Sequence, residues 1–164
     1  LLIPLAWGFV AAAHLGAVSE STLFVAHVVM AALLAGFAVT GRRDMRDGAL
    51  ATWWGVVAVG FVVTVLGAVG FRLGPAGAPL LAVALFGWML LPAVGFLDTG
   101  RRISERPWIY YGGAVGCAVG AAWYAVALLG GPSWGSVGGL ALVGAGQTVT
   151  IIDAAFAAEA PDPA

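Results

Sequence analysis

Gly41-Arg42-Arg43-Asp44-Met45-Arg46-Asp47-Gly48-Ala49-Leu50 and Thr99-Gly100-Arg101-Arg102-Ile103-Ser104-Glu105-Arg106-Pro107 hold six of the chain's seven arginines, and lysine is absent. The stretches on either side are almost purely apolar. Only 9% of the residues are charged, against about 25% in a soluble domain. A chain this poor in charge cannot cover a water-exposed surface, so hydrocarbon is its solvent. In lipid every backbone polar group must be satisfied internally, which leaves helices or a closed barrel. The apolar runs are continuous and do not alternate, and this selects helices.

A transmembrane helix takes about 20 apolar residues. Six stretches qualify, at 1–18, 22–40, 50–71, 79–98, 108–129 and 136–156. The expected fold is an all-α bundle of six transmembrane helices in one domain over 1–156, followed by a short acidic cytoplasmic tail at 157–164. The first stretch is the shortest and also reads as a signal-peptide core, with Ala11-Ala12-Ala13 before a cleavage site. Arginine-bearing loops stay in the cytoplasm, which puts both termini inside. Trp53, Trp54, Trp108, Tyr110 and Tyr111 gather at the inner interface and Trp134 at the outer one, as amphipathic rings do at headgroups. Arginine without lysine fits a GC-rich coding bias, and the expected location is the plasma membrane of a prokaryote.

Gly36-Phe37-Ala38-Val39-Thr40-Gly41-Arg42-Arg43 returns as Gly95-Phe96-Leu97-Asp98-Thr99-Gly100-Arg101-Arg102, identical at six of eight positions. The match suggests helical hairpins repeated in parallel, an arrangement carriers often use. Among the 25 glycines, Gly112, Gly116 and Gly120 fall at spacing four. They are expected to form a stripe for close helix packing, within the chain or against a second copy or partner subunit. Pro92 is expected to kink the fourth span.

The composition excludes several functions. A net charge of −1 gives no footprint for nucleic acid. Cys117 is alone, so no disulfide framework exists. Absence of lysine rules out a Schiff-base retinal protein. No carboxylate sits at mid-membrane, where proton-driven pumps and small multidrug exporters need one. Motifs of translocator-protein, SWEET-type or rhodopsin families do not occur. In outline only, six short spans with little loop resemble the substrate-binding subunits of vitamin transporters.

Polar groups at membrane depth are functional candidates. His14 and His27 lie roughly 6–9 Å below the outer surface at 1.5 Å per residue, on consecutive spans joined by a short turn that contains Glu20. Three readings are open: a structural cluster with a Glu20–Arg72 latch; a metal ion on His14 and His27; and a haem b clamped between them. Haem needs its ligand-bearing backbones roughly 13 Å apart, from metal–nitrogen bonds near 2 Å, whereas packed helices lie about 8–10 Å apart. At the inner side, Asp98 should pair locally with Arg101 or Arg102, and Asp153 should reach an inner-loop arginine. The leading functional expectation is binding or passage of a small apolar ligand through an outward-facing pocket lined by His14, His27, Trp88, Trp123 and Tyr124, with Gln147 as a polar floor. The alternatives are a metal-assisted enzyme acting on a lipid or isoprenoid at the outer leaflet, with Glu20 as acid–base, and a haem electron carrier.

Orientation is directly testable. In Arg43→Cys and Arg101→Cys variants, a membrane-impermeant maleimide should label the new thiol only after cells are opened; labelling of intact cells would reverse the topology.

Overall fold

Each long apolar stretch becomes one helix. The computed structural model describes residues 2–132 and 134–159, and in it the chain forms α1 (Leu2–His14), α2 (Glu20–Thr40), α3 (Gly48–Arg72), α4 (Ala78–Arg102), α5 (Pro107–Leu128) and α6 (Trp134–Glu159). A single 3-10 turn, Gly74–Gly77, links α3 to α4. Helices α2 to α6 are long and apolar enough to cross a membrane. The protein is therefore a multi-pass helical membrane bundle. Of the expected tail, residues 160–164 lie outside the described residues.

The first span is shorter than its sequence suggests. α1 has 13 residues, about 20 Å at 1.5 Å per residue, and stops at His14 rather than at residue 18. The cause is Gly16, which adopts φ +75°. It lets Gly16 N–H bond Ala13 O and Ala17 N–H bond Ala12 O, the paired bonds of a Schellman cap. Gly130, at φ +102°, closes α5 in the same way through Gly130 to Ala127 and Gly131 to Val126. At the arginine end, Pro107 opens α5 and disfavours right-handed helical geometry at the residue before it. Arg106 takes φ +50° there, and its guanidinium is held by Asp153 at 3.0 Å.

The helices follow one another in the order α2, α3, α4, α5, α6, and α1 docks on the far side of α6. Although joined by a five-residue turn, α1 and α2 share no packed face. No residue of α2 is buried. The interior lies among α1, α4, α5 and α6, where Met89, Phe96, Cys117, Leu140 and Val143 are wholly buried.

Glycine sets the helix contacts, with one correction to the expected stripe. Gly113, Gly116 and Gly120 face α6, while Gly112 faces open space. At 3.6 residues per turn, steps of four drift about 40° each, whereas a seven-residue step such as 113 to 120 nearly returns to the same face. The contact is within the chain. Elsewhere the glycines form notches for tryptophan rings: Trp7 sits against Gly144, Trp53 against Gly95, Trp88 against Gly60, and Trp123 against Gly135 and Gly138.

A Cβ at position 120 would lie 2.6 Å from Val143 Cγ2 and 2.7 Å from the Gly139 carbonyl. Gly120→Val should therefore cost about 1–3 kcal/mol in detergent-driven unfolding. Gly112→Ala should be neutral or mildly stabilising, and equal losses for the two would refute this packing.

Candidate functional site

Two of the buried polar residues, Gln147 and Thr64, belong to one chain of hydrogen bonds through the middle of the bundle. Pro92 has no N–H, so the Trp88 carbonyl four residues earlier loses its helical partner. Gln147 Nε2 donates to that carbonyl at 3.1 Å and lies 3.7 Å from Cys117 Sγ. Its Oε1 accepts from Trp7 Nε1 at 2.9 Å. Trp88 Nε1 in turn donates to Thr64 Oγ1 at 2.9 Å, and Thr64 donates to Gly60 O at 2.7 Å. Four helices, α1, α6, α4 and α3, are thereby tied together. Both ends of the Gln147 amide are occupied by the protein itself.

The six residues expected to line one outward pocket are distributed over separate places. His14 meets Tyr124, with Nε2 2.7 Å from the hydroxyl, and Nδ1 lies 2.8 Å from Val10 O. A carbonyl only accepts, so Nδ1 carries the proton and, in the neutral ring, Nε2 accepts from Tyr124. Tyr124 also packs edge-on against Phe86. His27 donates from Nδ1 to Leu23 O at 2.9 Å, and its ring rests on Gly67 and Phe71. Trp123 packs against Trp134. Trp88 and Gln147 belong to the central chain.

The expected meeting of His14 and His27 is corrected by this geometry. The Schellman turn releases α1 from α2, and Trp7 docks α1 on α6, so the two imidazoles belong to different contacts. They do not form the shared metal site or the haem clamp, and among the described residues no three His, Cys, Asp or Glu side chains gather as a ligand set. The Glu20–Arg72 latch is likewise replaced: the Arg72 guanidinium lies 5.4 Å from the centre of the Phe24 ring, joining α3 to α2 through a cation–π contact. Glu20 stands in the first turn of α2, after Ser19, whose Oγ caps Thr22 N–H. An acid there suits the helix dipole.

At the arginine end, Asp98 accepts from Arg102 Nε at 2.9 Å and from Thr52 Oγ1 at 2.8 Å. Arg101 enters no ion pair among the described residues. Asp153 is held by Arg106. The two carboxylates therefore serve separate cations and do not form an acid–base couple.

Two cavities stand outside this framework. One, about 490 Å³, opens at the arginine end beside Arg42 and Arg46. The other, about 200 Å³, is an apolar groove walled by Trp7, Gly8 and Ala11 of α1 and by Leu140, Ala141 and Gly144 of α6. Neither touches any of the six residues named from sequence. One turn along α6 from Gly144, Thr148 Oγ1 is buried without a partner among the described residues.

No family model, curated protein or solved structure matches the chain.

Sequence reading missed Trp7, which completes the central chain at α1. Pro92 supplied a signal, because a proline inside a span demands an external donor for the carbonyl four residues back. Which donor answers depends on how α6 packs, and spacing does not reveal that.

Gln147→Leu strips the partner from both the Trp88 carbonyl and the Trp7 indole, at about 1–3 kcal/mol for each buried group left unpaired. Pro92→Ala returns an N–H to the Trp88 carbonyl. The double variant should thus lose clearly less stability than the two single losses added together, measured by unfolding in mixed micelles. Strict additivity would mean the two residues do not share that carbonyl.

Proposed function

We propose that the protein binds a slender apolar ligand, an acyl or isoprenoid chain taken from the bilayer, in the groove between α1 and α6. The observation that carries this reading is the composition of the groove. Its walls are small and apolar, and its one polar group, the Trp7 indole N–H, is already committed to Gln147. Nothing is left there to recognise a polar solute. A volume of about 200 Å³ is below the roughly 300–1,000 Å³ of drug-sized sites and suits a segment of chain. Binding is favoured over passage because large side chains fill the interior among α1, α4, α5 and α6.

The same reading keeps the protein in the plasma membrane of a prokaryote, with the arginine turns inside. It also keeps the helical hairpins as descendants of one repeated unit. The repeated Gly-Phe-x-x-Thr-Gly-Arg-Arg supports this, as do the Leu-Gly ends Leu15-Gly16, Leu73-Gly74 and Leu129-Gly130, each with its glycine at positive φ. The first hairpin then differs from the others in having opened, and that opening leaves the α1 side of the groove reachable from lipid.

A diazirine-bearing fatty acid, photolysed with purified protein in lipid nanodiscs, should form adducts concentrated on residues 4–11 and 137–144. Ala141→Phe, which fills the groove, should reduce those adducts several-fold. Adducts spread evenly over all lipid-facing helices, unchanged by Ala141→Phe, would overturn the assignment.

A further inference from the structure

The turn between α2 and α3 carries three guanidinium groups without an ion pair among the described residues, and two of them border one cavity. Arg42 and Arg46 border the 490 Å³ cavity at the arginine end, together with Met45, Ala51 and Trp54. Both arginines are exposed. Neither forms an ion pair or side-chain hydrogen bond among the described residues, although Asp44 and Asp47 lie in the same turn. The other arginine turn is different, since Arg102 and Arg106 there are neutralised by Asp98 and Asp153. The repeated motif explains the contrast at Arg43, the counterpart of Arg102. Asp98 stands four residues before Arg102, and the matching position before Arg43 is Val39. The first turn therefore lacks the internal carboxylate that the second turn uses.

We propose that this cavity binds the phosphate group of an anionic ester, an inner-leaflet phospholipid being the source that its position and walls favour. Guanidinium groups match phosphate oxygens in geometry and charge, and basic pockets on the cytoplasmic side of membrane proteins take anionic headgroups. The rest of the wall suits the lipid's other end. Trp54 is anchored by its indole N–H to Ala38 O at 2.9 Å, which holds the ring at the interface. With Met45 it offers an apolar surface to the glycerol and first acyl carbons, a surface a free phosphate ion would not use.

The test uses the full chain in mixed micelles with equal amounts of dioleoylphosphatidylglycerol and dioleoylphosphatidylcholine, reading bound lipid by native mass spectrometry. The wild type should retain phosphatidylglycerol preferentially. Arg42→Gln/Arg46→Gln should lower that retention about tenfold or more, given the worth of two basic groups at a lipid headgroup. Arg43→Gln, whose side chain lies outside the cavity wall, should retain it. An unchanged melting temperature in both variants excludes misfolding as the cause. Millimolar glycerol phosphate should fail to displace the lipid; displacement would overturn the lipid source in favour of a free phosphate ester. Retention by the double variant, or an equal loss in Arg43→Gln, would overturn the site itself.

Discussion

Pro92 has no N–H to give, and that absence organises the middle of the bundle. In water the freed Trp88 carbonyl would bond to solvent. In hydrocarbon an unmet backbone group costs several kcal/mol, so a donor must come from a neighbouring helix. Gln147 is that donor. Its remaining amide oxygen would then be the orphan, and Trp7 supplies the N–H it needs. One missing hydrogen in α4 thus fixes a residue of α6 and a residue of α1. The rotation of α6 about its own axis follows, since Gln147 must face α4 while Gly144 faces Trp7. The short α1 is held by this arrangement and not by its own turn to α2.

Glycine and tryptophan share the work of packing. Lipid tails are as apolar as leucine, so helices gain little from burying leucine against leucine and must gain from close fit. A glycine leaves a notch the depth of a missing side chain, and an indole is broad and flat enough to fill it. Trp7, Trp53 and Trp88 each lie against a glycine of another helix and also place their N–H on an oxygen or amide acceptor. The fit is apolar over the ring and polar at one atom. This explains how a chain so rich in glycine encloses a filled interior, and why aromatic rings at membrane depth do not by themselves mark a ligand pocket.

The arginine turns, the helical class and most span boundaries were legible in the sequence, because they rest on local quantities: charge in short loops and run length against bilayer thickness. The spacing-four stripe was read with the wrong first member, since Gly112 and Gly113 are adjacent and only the drift of an α-helix separates them. The histidine pair failed for another reason. Nearness in sequence across a short turn implies nearness in space only if the two helices pack, and α1 found a stronger partner in α6. Asp98 and Arg102 are four residues apart on one helix, so their pairing could be expected locally. Asp153 and Arg106 required the fold to bring them together. Trp7 was the deepest omission, because its role depends on Pro92 of α4 and on Gln147 and Gly144 of α6, all far from it in the chain.

The distribution of satisfied and unsatisfied groups separates what holds the bundle from what is left for ligands. Toward the centre nearly every polar atom is spent on another part of the chain, and large side chains fill the space. Among the described residues, capacity is left over at the edge, in an apolar groove on α1 and α6 and in the unpaired guanidinium groups of the first arginine turn. Hydrocarbon enforces this separation. An unmet polar group at mid-membrane would destabilise the fold, whereas one at the headgroup level is hydrated at little cost until a ligand arrives. On the proposed reading, a bundle built in this way would bind at its lipid-facing rim. The separation of α1 from α2 fits the same logic, for one side of α1 is left uncovered while Trp7 keeps its bond to Gln147.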